Sequence, residues 1–297
     1  WIVFTGVDRI QHLYWIFDDP RNEEFDPRLA ERFSGTMRRF WMEQDRILGE
    51  FFALIRPSST VLLVSDHGFG PIRRELRAGT WARTAASGFS TTEAAQIFSL
   101  DRSDAARLYV REPGRDPGAD LLREQAGALR DRLATGLRGV IDPETGEAPV
   151  EALYRSEEVY VGKYAEKGPD LTMIPSQGYF VSWGDVANDY RQPPFGPVTS
   201  TISGWHRMDG VYAVRGPEIV PGKSERVYNL LDLAPTSLYL LGHPLPEDFD
   251  GKIMDGIFAP DRLRKRPPVF RGVLSEEDRP LTPEEQRALK NLPYVGG

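Results

Sequence analysis

The 297-residue sequence contains no cysteine. That excludes a disulfide framework, a thiolate metal site and a thiol nucleophile, and leaves any metal chemistry to imidazoles and carboxylates. Basic residues are the minority: 37 Lys and Arg stand against 44 Asp and Glu, for a net charge of −7. A sequence pI near 5.3 argues against a nonspecific nucleic-acid binder, whose affinity would come from a basic surface neutralising phosphates, so no nucleic-acid duplex binding is expected. Long apolar runs are missing as well. The longest candidates, Trp1–Phe4 and Val61–Val64, are strand-sized, against the ~18 to 20 residues of a membrane helix, so no transmembrane segment is expected. There is no initiator Met and no signal-peptide layout before the apolar run that Trp1 opens. The sequence therefore reads as a fragment, with any targeting signal upstream of it and a cytoplasmic location as the default expectation. What the chain does have is 40% hydrophobic and 11% aromatic residues, enough apolar material for a large core.

Trp1–Thr5 (WIVFT) and Thr60–Ser65 (TVLLVS) are continuous apolar runs without alternation, the pattern of strands buried on both faces of a parallel sheet. Between them Leu29, Phe33, Met37, Phe40, Trp41, Ile47, Leu48, Phe51, Phe52 and Ile55 recur at spacings of three and four. This predicts one long helix from Pro27 to about Arg56, stopped by Pro57. Strand, helix, strand predicts a right-handed βαβ unit with parallel strands. Further on, strands are predicted at Arg107–Glu112, near Val159–Val161, at Asp170–Ile174 and at Gly210–Arg215. Helices are predicted from Gly118 to about Leu137 and over Asp232–Leu241, the latter with Asp232 as N-cap and Gly242 closing it. Arg73 to Ser103 gives no clear pattern. Gly178 to Gly204, rich in Gly, Pro, Ser and aromatics, predicts a long surface loop. The stretch Ala259–Val273 is basic and proline-bearing, and Thr282-Pro-Glu-Glu285 is a capping box for a short terminal helix. One α/β core over 1–258, with a less regular excursion at about 73–200, and a C-terminal tail over 259–297 fit best.

Three of the four histidines fall beside predicted strand ends. Asp8 and His12 follow the first run, four residues apart and on one side if that segment is helical. Asp66-His67-Gly68 follows the second, at the carboxyl end where open α/β sheets place their ligands. His206, in Gly204-Trp205-His206-Arg207, ends the aromatic segment with no acid beside it until Asp209. Mixed oxygen and nitrogen donors of this kind suit Zn²⁺ or Mn²⁺. Taken singly each grouping also has a plain structural reading, because acids are abundant here. His243, just past the predicted helix end, reads as a helix-terminal residue.

Four segments in order, FTGVDRIQHLYW, VLLVSDHGFGP, GWHRMDGVYAVRGPEI and NLLDLAPTSLYLLGHPLPEDFDGKIM, resemble the later motifs of the alkaline phosphatase superfamily, in its type I phosphodiesterase/nucleotide pyrophosphatase branch. The resemblance spans positions 1 to about 255 and is loose in the middle. It implies a mostly parallel central sheet with helices on both faces, the N-terminal part missing. It implies two divalent cations, Zn first and Mn as the alternative, with Asp8, His12 and His206 on one and Asp66 and His67 on the second. In the family an upstream Asp and a nucleophilic Ser or Thr complete the second site. Nothing in this sequence matches them, and Thr5 lacks the nucleophile's context. The implied reaction is in-line attack by that hydroxyl on a phosphate ester clamped by two ions about 4 Å apart, then hydrolysis of a phospho-enzyme.

The implied substrate is a small phosphate ester such as a nucleotide phosphodiester. Phosphomonoesterase, sulfatase and phosphomutase chemistry share the scaffold, the sulfatases being disfavoured by the lack of Cys; a non-catalytic metal-binding remnant is the reading of another class. Tyr14, Trp15, Phe69, Trp183 and Trp205 lie near the ligands, as core or as a stacking surface for a flat group. Arg9 and Arg207 flank them, as phosphate contacts or as solvated surface charges.

Overall fold

A computed structural model describes residues 2–84, 87–100, 105–162, 164–182, 191–198 and 201–272. Trp183 and the capping box of the terminal helix lie outside these. The chain divides into two compact units, one of Trp1–Leu54 with His67–Val211, the other of Ile55–Asp66 with Tyr212–Gly297.

Residues 2–4 of the first unit, where a strand was expected over Trp1–Thr5, have no regular structure and lead into helix α1 (Thr5–Tyr14). Ile2 and Val3 are exposed, and no described strand pairs with them to supply a ladder. Four apolar residues and a threonine do not by themselves establish a strand. The predicted long helix is two: α2 (Pro27–Phe33) and α3 (Thr36–Leu54). Asp26 caps α2 by accepting the Arg28 N–H, with Pro27 at the first helical position. The break is at Gly35, whose φ of +71° is the left-handed conformation that ends helices. The Gly35 N–H is taken by the Asp18 carboxylate at 3.1 Å.

Strand β1 (Val61–Val64) belongs to the second unit. In the first unit, β2 (Gly68–Leu76) is the spine. Around it lie β3 (Ile97–Ser99), β4 (Ala106–Val110), β5 (Val150–Arg155), β6 (Leu171–Pro175), β7 (Gly178–Val181), β8 (Phe195–Pro197) and β9 (Gly204–Arg207). The C-terminal part of β2 pairs in parallel with β7 and antiparallel with β8, while its start runs antiparallel to β9 with Phe69 opposite His206. The segment expected as a surface loop thus supplies the buried strands β7 and β8, because Tyr179, Phe180 and Phe195 pack inward. Strands β3, β4, β6 and β5 form a second, antiparallel sheet. The helix Arg123–Arg138 packs into the same core through Ala126, Leu129, Leu133, Ala134 and Leu137, the spacing of an amphipathic face. At Val159–Val161 a one-turn helix, Ser156–Val159, replaces the predicted strand, and Val161 is exposed.

In the second unit β1 pairs antiparallel with β10 (Tyr212–Arg215). The helix Leu233–Leu241 is closed by Gly242, whose N–H reaches the Tyr239 carbonyl, and the His243 N–H reaches that of Leu238. Asp232 does not cap this helix; its carboxylate accepts the N–H groups of Asn229 and Lys252. Tyr239, Met254, Ile257 and Phe258 make the core of this unit.

The class is mixed α/β, as expected. The expected mostly parallel sheet and the βαβ unit are corrected: among the described residues most ladders are antiparallel, the parallel pairs being β2 with β7 and β11 (Leu245–Pro246) with β12 (Phe270–Arg271). Apolarity marks a strand as buried, but the edge available to it sets its direction, and that information is not local. Among the described residues no helix is long and apolar enough to cross a membrane.

Candidate metal centre

Helix α1 places Asp8 and His12 one turn apart on one face, and the pairing of β9 on β2 brings His206 to them. His12 Nε2 lies 3.2 Å from Asp8 Oδ1. His206 Nε2 lies 3.1 Å from the same oxygen and 3.2 Å from His12 Nε2. The three donor atoms fall within 4.8 Å of one another, the one such group among the described residues. His67 joins from the start of β2, its ring stacked on His206 at 3.7 Å and its Nε2 3.8 Å from Asp8 Oδ1. Asp66 is exposed and is not one of the three converging groups.

The hydrogen bonds set the tautomer of His12. Its Nδ1 lies 2.9 Å from the Gly204 carbonyl, which only accepts, so Nδ1 carries the hydrogen and neutral Nε2 presents a lone pair. The same reasoning with the Gly68 carbonyl at 2.9 Å assigns His67. A lone pair of His12 therefore faces a carboxylate oxygen at hydrogen-bond distance with no proton on that side, an arrangement that a shared cation satisfies. Burial lowers the pKa of His12, against the raising pull of the Gly204 carbonyl and Asp8, and so favours the neutral imidazole that a metal requires. One carboxylate and two imidazoles fit a borderline divalent ion such as Zn²⁺ or Mn²⁺.

Aromatic rings pack around these imidazoles. Trp205 is buried and lies 4.5 Å from the His12 ring and 5.2 Å from Phe180. Phe69 sits edge-on to His12 at 4.8 Å and stacks on Trp15. Tyr14 packs on Phe17 and Phe33. Arg207 donates from Nη2 to the Pro71 carbonyl, and Arg9 is exposed. The sequence motif flagged Gly204 without a role; a backbone carbonyl acting as orienting acceptor leaves no side-chain signature.

An exposed-edged cluster of one acid and three imidazoles on a mixed α/β scaffold defines the class: a protein with a candidate transition-metal centre. Residues 1–209 match the model of the type I phosphodiesterase/nucleotide pyrophosphatase family, and the chain belongs to that family. No curated protein gives a significant match. Among solved structures, human ectonucleotide pyrophosphatase/phosphodiesterase 5 is similar at 12% identity and TM-score 0.38, over 82% of this chain and 54% of that one. The murine protein is similar at 15% identity and TM-score 0.35, over 64% of this chain and 43% of that one. The chain thus spans about half the length of the human structure.

Proposed function

We propose that the chain carries the metal centre of a hydrolase acting on phosphate esters, phosphodiesters before monoesters, with nucleotide phosphodiesters as the substrate class. The observation that carries this reading is the convergence of Asp8, His12 and His206 within 4.8 Å, on residues inside the family match. Asp8 supplies the negative charge. His12, held as the Nδ1–H tautomer by Gly204, presents Nε2, and His206 presents Nε2 from β9. Zn²⁺ is the first choice and Mn²⁺ the second, with Asp66 and His67 as this chain's share of a second site. A divalent ion bound there supplies Lewis-acid stabilisation of phosphoryl oxygens and lowers the pKa of a coordinated hydroxyl. Asp8 and the imidazoles hold that charge in place, and the aromatic packing behind them keeps their rings from swinging out. The nucleophilic Ser or Thr is proposed to lie outside these residues, so turnover is a property of a longer protein and ion binding a property of this chain.

The test is hydrolysis by the longer protein. A chromogenic phosphodiester is expected to be cleaved faster than the matching monoester, with activity lost on chelation and restored by Zn²⁺ or Mn²⁺. Activity that survives exhaustive chelation contradicts the metal assignment, and a monoester preference moves the enzyme to another branch.

A further inference from the structure

We infer that Ser203 and Gly204 are positioning residues that aim the His12 imidazole into the metal centre, an inference that rests on the metal reading proposed above. His12 is gripped at both ends by this dipeptide. At the backbone, the Ser203 N–H donates to the His12 carbonyl at 2.7 Å, and Ser203 Oγ donates to the same carbonyl at 3.2 Å. At the ring, Nδ1–H donates to the Gly204 carbonyl at 2.9 Å. The clasp is anchored in turn: the Ser203 carbonyl accepts the Ile72 N–H of β2 at 3.0 Å.

The Ser203 hydroxyl does a second job. It accepts the Ile16 N–H at 3.0 Å while donating to the His12 carbonyl. Ile16 and His12 are four apart, so the hydroxyl stands where a direct helical hydrogen bond would close. It is inserted into the ladder where α1 gives way to the 3₁₀ turn Trp15–Asp18. The helix therefore ends where it does, with the His12 carbonyl turned to Ser203, because a buried hydroxyl interrupts it. Gly204 permits the close approach. A Cβ there would lie 2.6 Å from the Gln11 carbonyl oxygen, 2.9 Å from the Phe69 ring and 3.1 Å from the Trp15 ring. The first of these is backbone of α1, which has no rotamer with which to yield. Any larger residue moves α1 away from β9, and with it the imidazole from its acceptor. The orienting partner of a ligand histidine is worth roughly 10- to 100-fold in metal affinity, which sets the expected size of the effect.

The experiment uses the full 297-residue chain. Long-range ¹H–¹⁵N correlation on metal-free protein reads the His12 tautomer, and Zn²⁺ titration against a competing chelator reads affinity. Gly204→Ala, which drives α1 from β9 and so the imidazole from its acceptor, is expected to mix the tautomers and to weaken Zn²⁺ binding by roughly 10- to 100-fold. Ser203→Ala, which leaves the Gly204 carbonyl on Nδ1 and loosens only the backbone of His12, is expected to keep the tautomer and to weaken binding by ~10-fold, the low end of that range. Ser203→Thr, which keeps the hydroxyl, restores most of the affinity. If the Ser203→Ala chain does not fold, Ser203→Cys, with a weak donor and acceptor in its place, is expected to show an intermediate loss. A folded Ser203→Ala chain that binds Zn²⁺ as tightly as the wild type overturns the positioning role and leaves the proposed metal centre standing. Absence of Zn²⁺ binding by the wild type overturns the metal reading itself, and the two failures are thereby distinct.

Discussion

Asp8 Oδ1 is within 3.8 Å of three imidazoles, so its charge is the group on which the centre depends most. Asp8→Asn keeps the shape and removes the charge. It is expected to weaken Zn²⁺ binding by ~100-fold or more, since even the partners behind metal ligands are worth 10- to 100-fold; isothermal titration calorimetry measures it. Binding is also expected to weaken as pH falls below about 6, because protons compete for the imidazole lone pairs. His12 contributes to that loss at more acidic pH than a free histidine, its burial favouring the neutral form. At this scale the sequence was informative where chemistry is rare. Three of only four histidines, with Asp8 and Asp66 near them, stood out; the fold brings Asp8, His12 and His206 together with His67 beside them, and Asp66 is not one of the converging groups. Ser203 was silent, being one hydroxyl in a segment of many.

Among the elements, the turn after the helix Arg123–Arg138 is held to β2 by a buried ion pair. Arg74 Nε donates to Asp142 Oδ2 at 2.6 Å, with the Tyr179 hydroxyl on the same oxygen at 3.1 Å. Burial raises the pKa of Asp142, but Arg74, the Glu144 N–H and Tyr179 outweigh it and hold the carboxyl below its usual range. A depressed carboxyl stabilises the fold fully above its unfolded pKa and loses that contribution as pH falls through the folded value. Asp142→Asn is therefore expected to cost roughly 3 kcal/mol near neutral pH, the low end for breaking a buried pair, because Glu144 still faces Arg74 at 2.8 Å. Urea unfolding checks this, and the gap from the wild type narrows in acid. Gly35→Ala, which forces a side chain into the left-handed region, is expected to cost about 1 to 2 kcal/mol by the same assay. The helix Arg123–Arg138 was legible because its apolar spacing persists over four turns. The opening run was not, because four apolar residues fit a strand as well as the approach to α1. The direction of β1 was not legible either, since its partner β10 lies some 150 residues away.

For the whole molecule, the family match covers residues 1–209 and contains every group of the candidate centre. The chain covers 54% of the human structure to which it is similar; ion binding is the property proposed for this chain itself. The direct measurement is the metal content of the purified 297-residue chain after dialysis against Zn²⁺, read by elemental analysis beside Asp8→Ala and His206→Ala. The expected result is one tightly held ion per wild-type chain, lost in both variants while their far-ultraviolet circular dichroism is unchanged. A wild-type chain free of metal, or variants that hold as much metal as the wild type, would contradict the assignment of Asp8, His12 and His206.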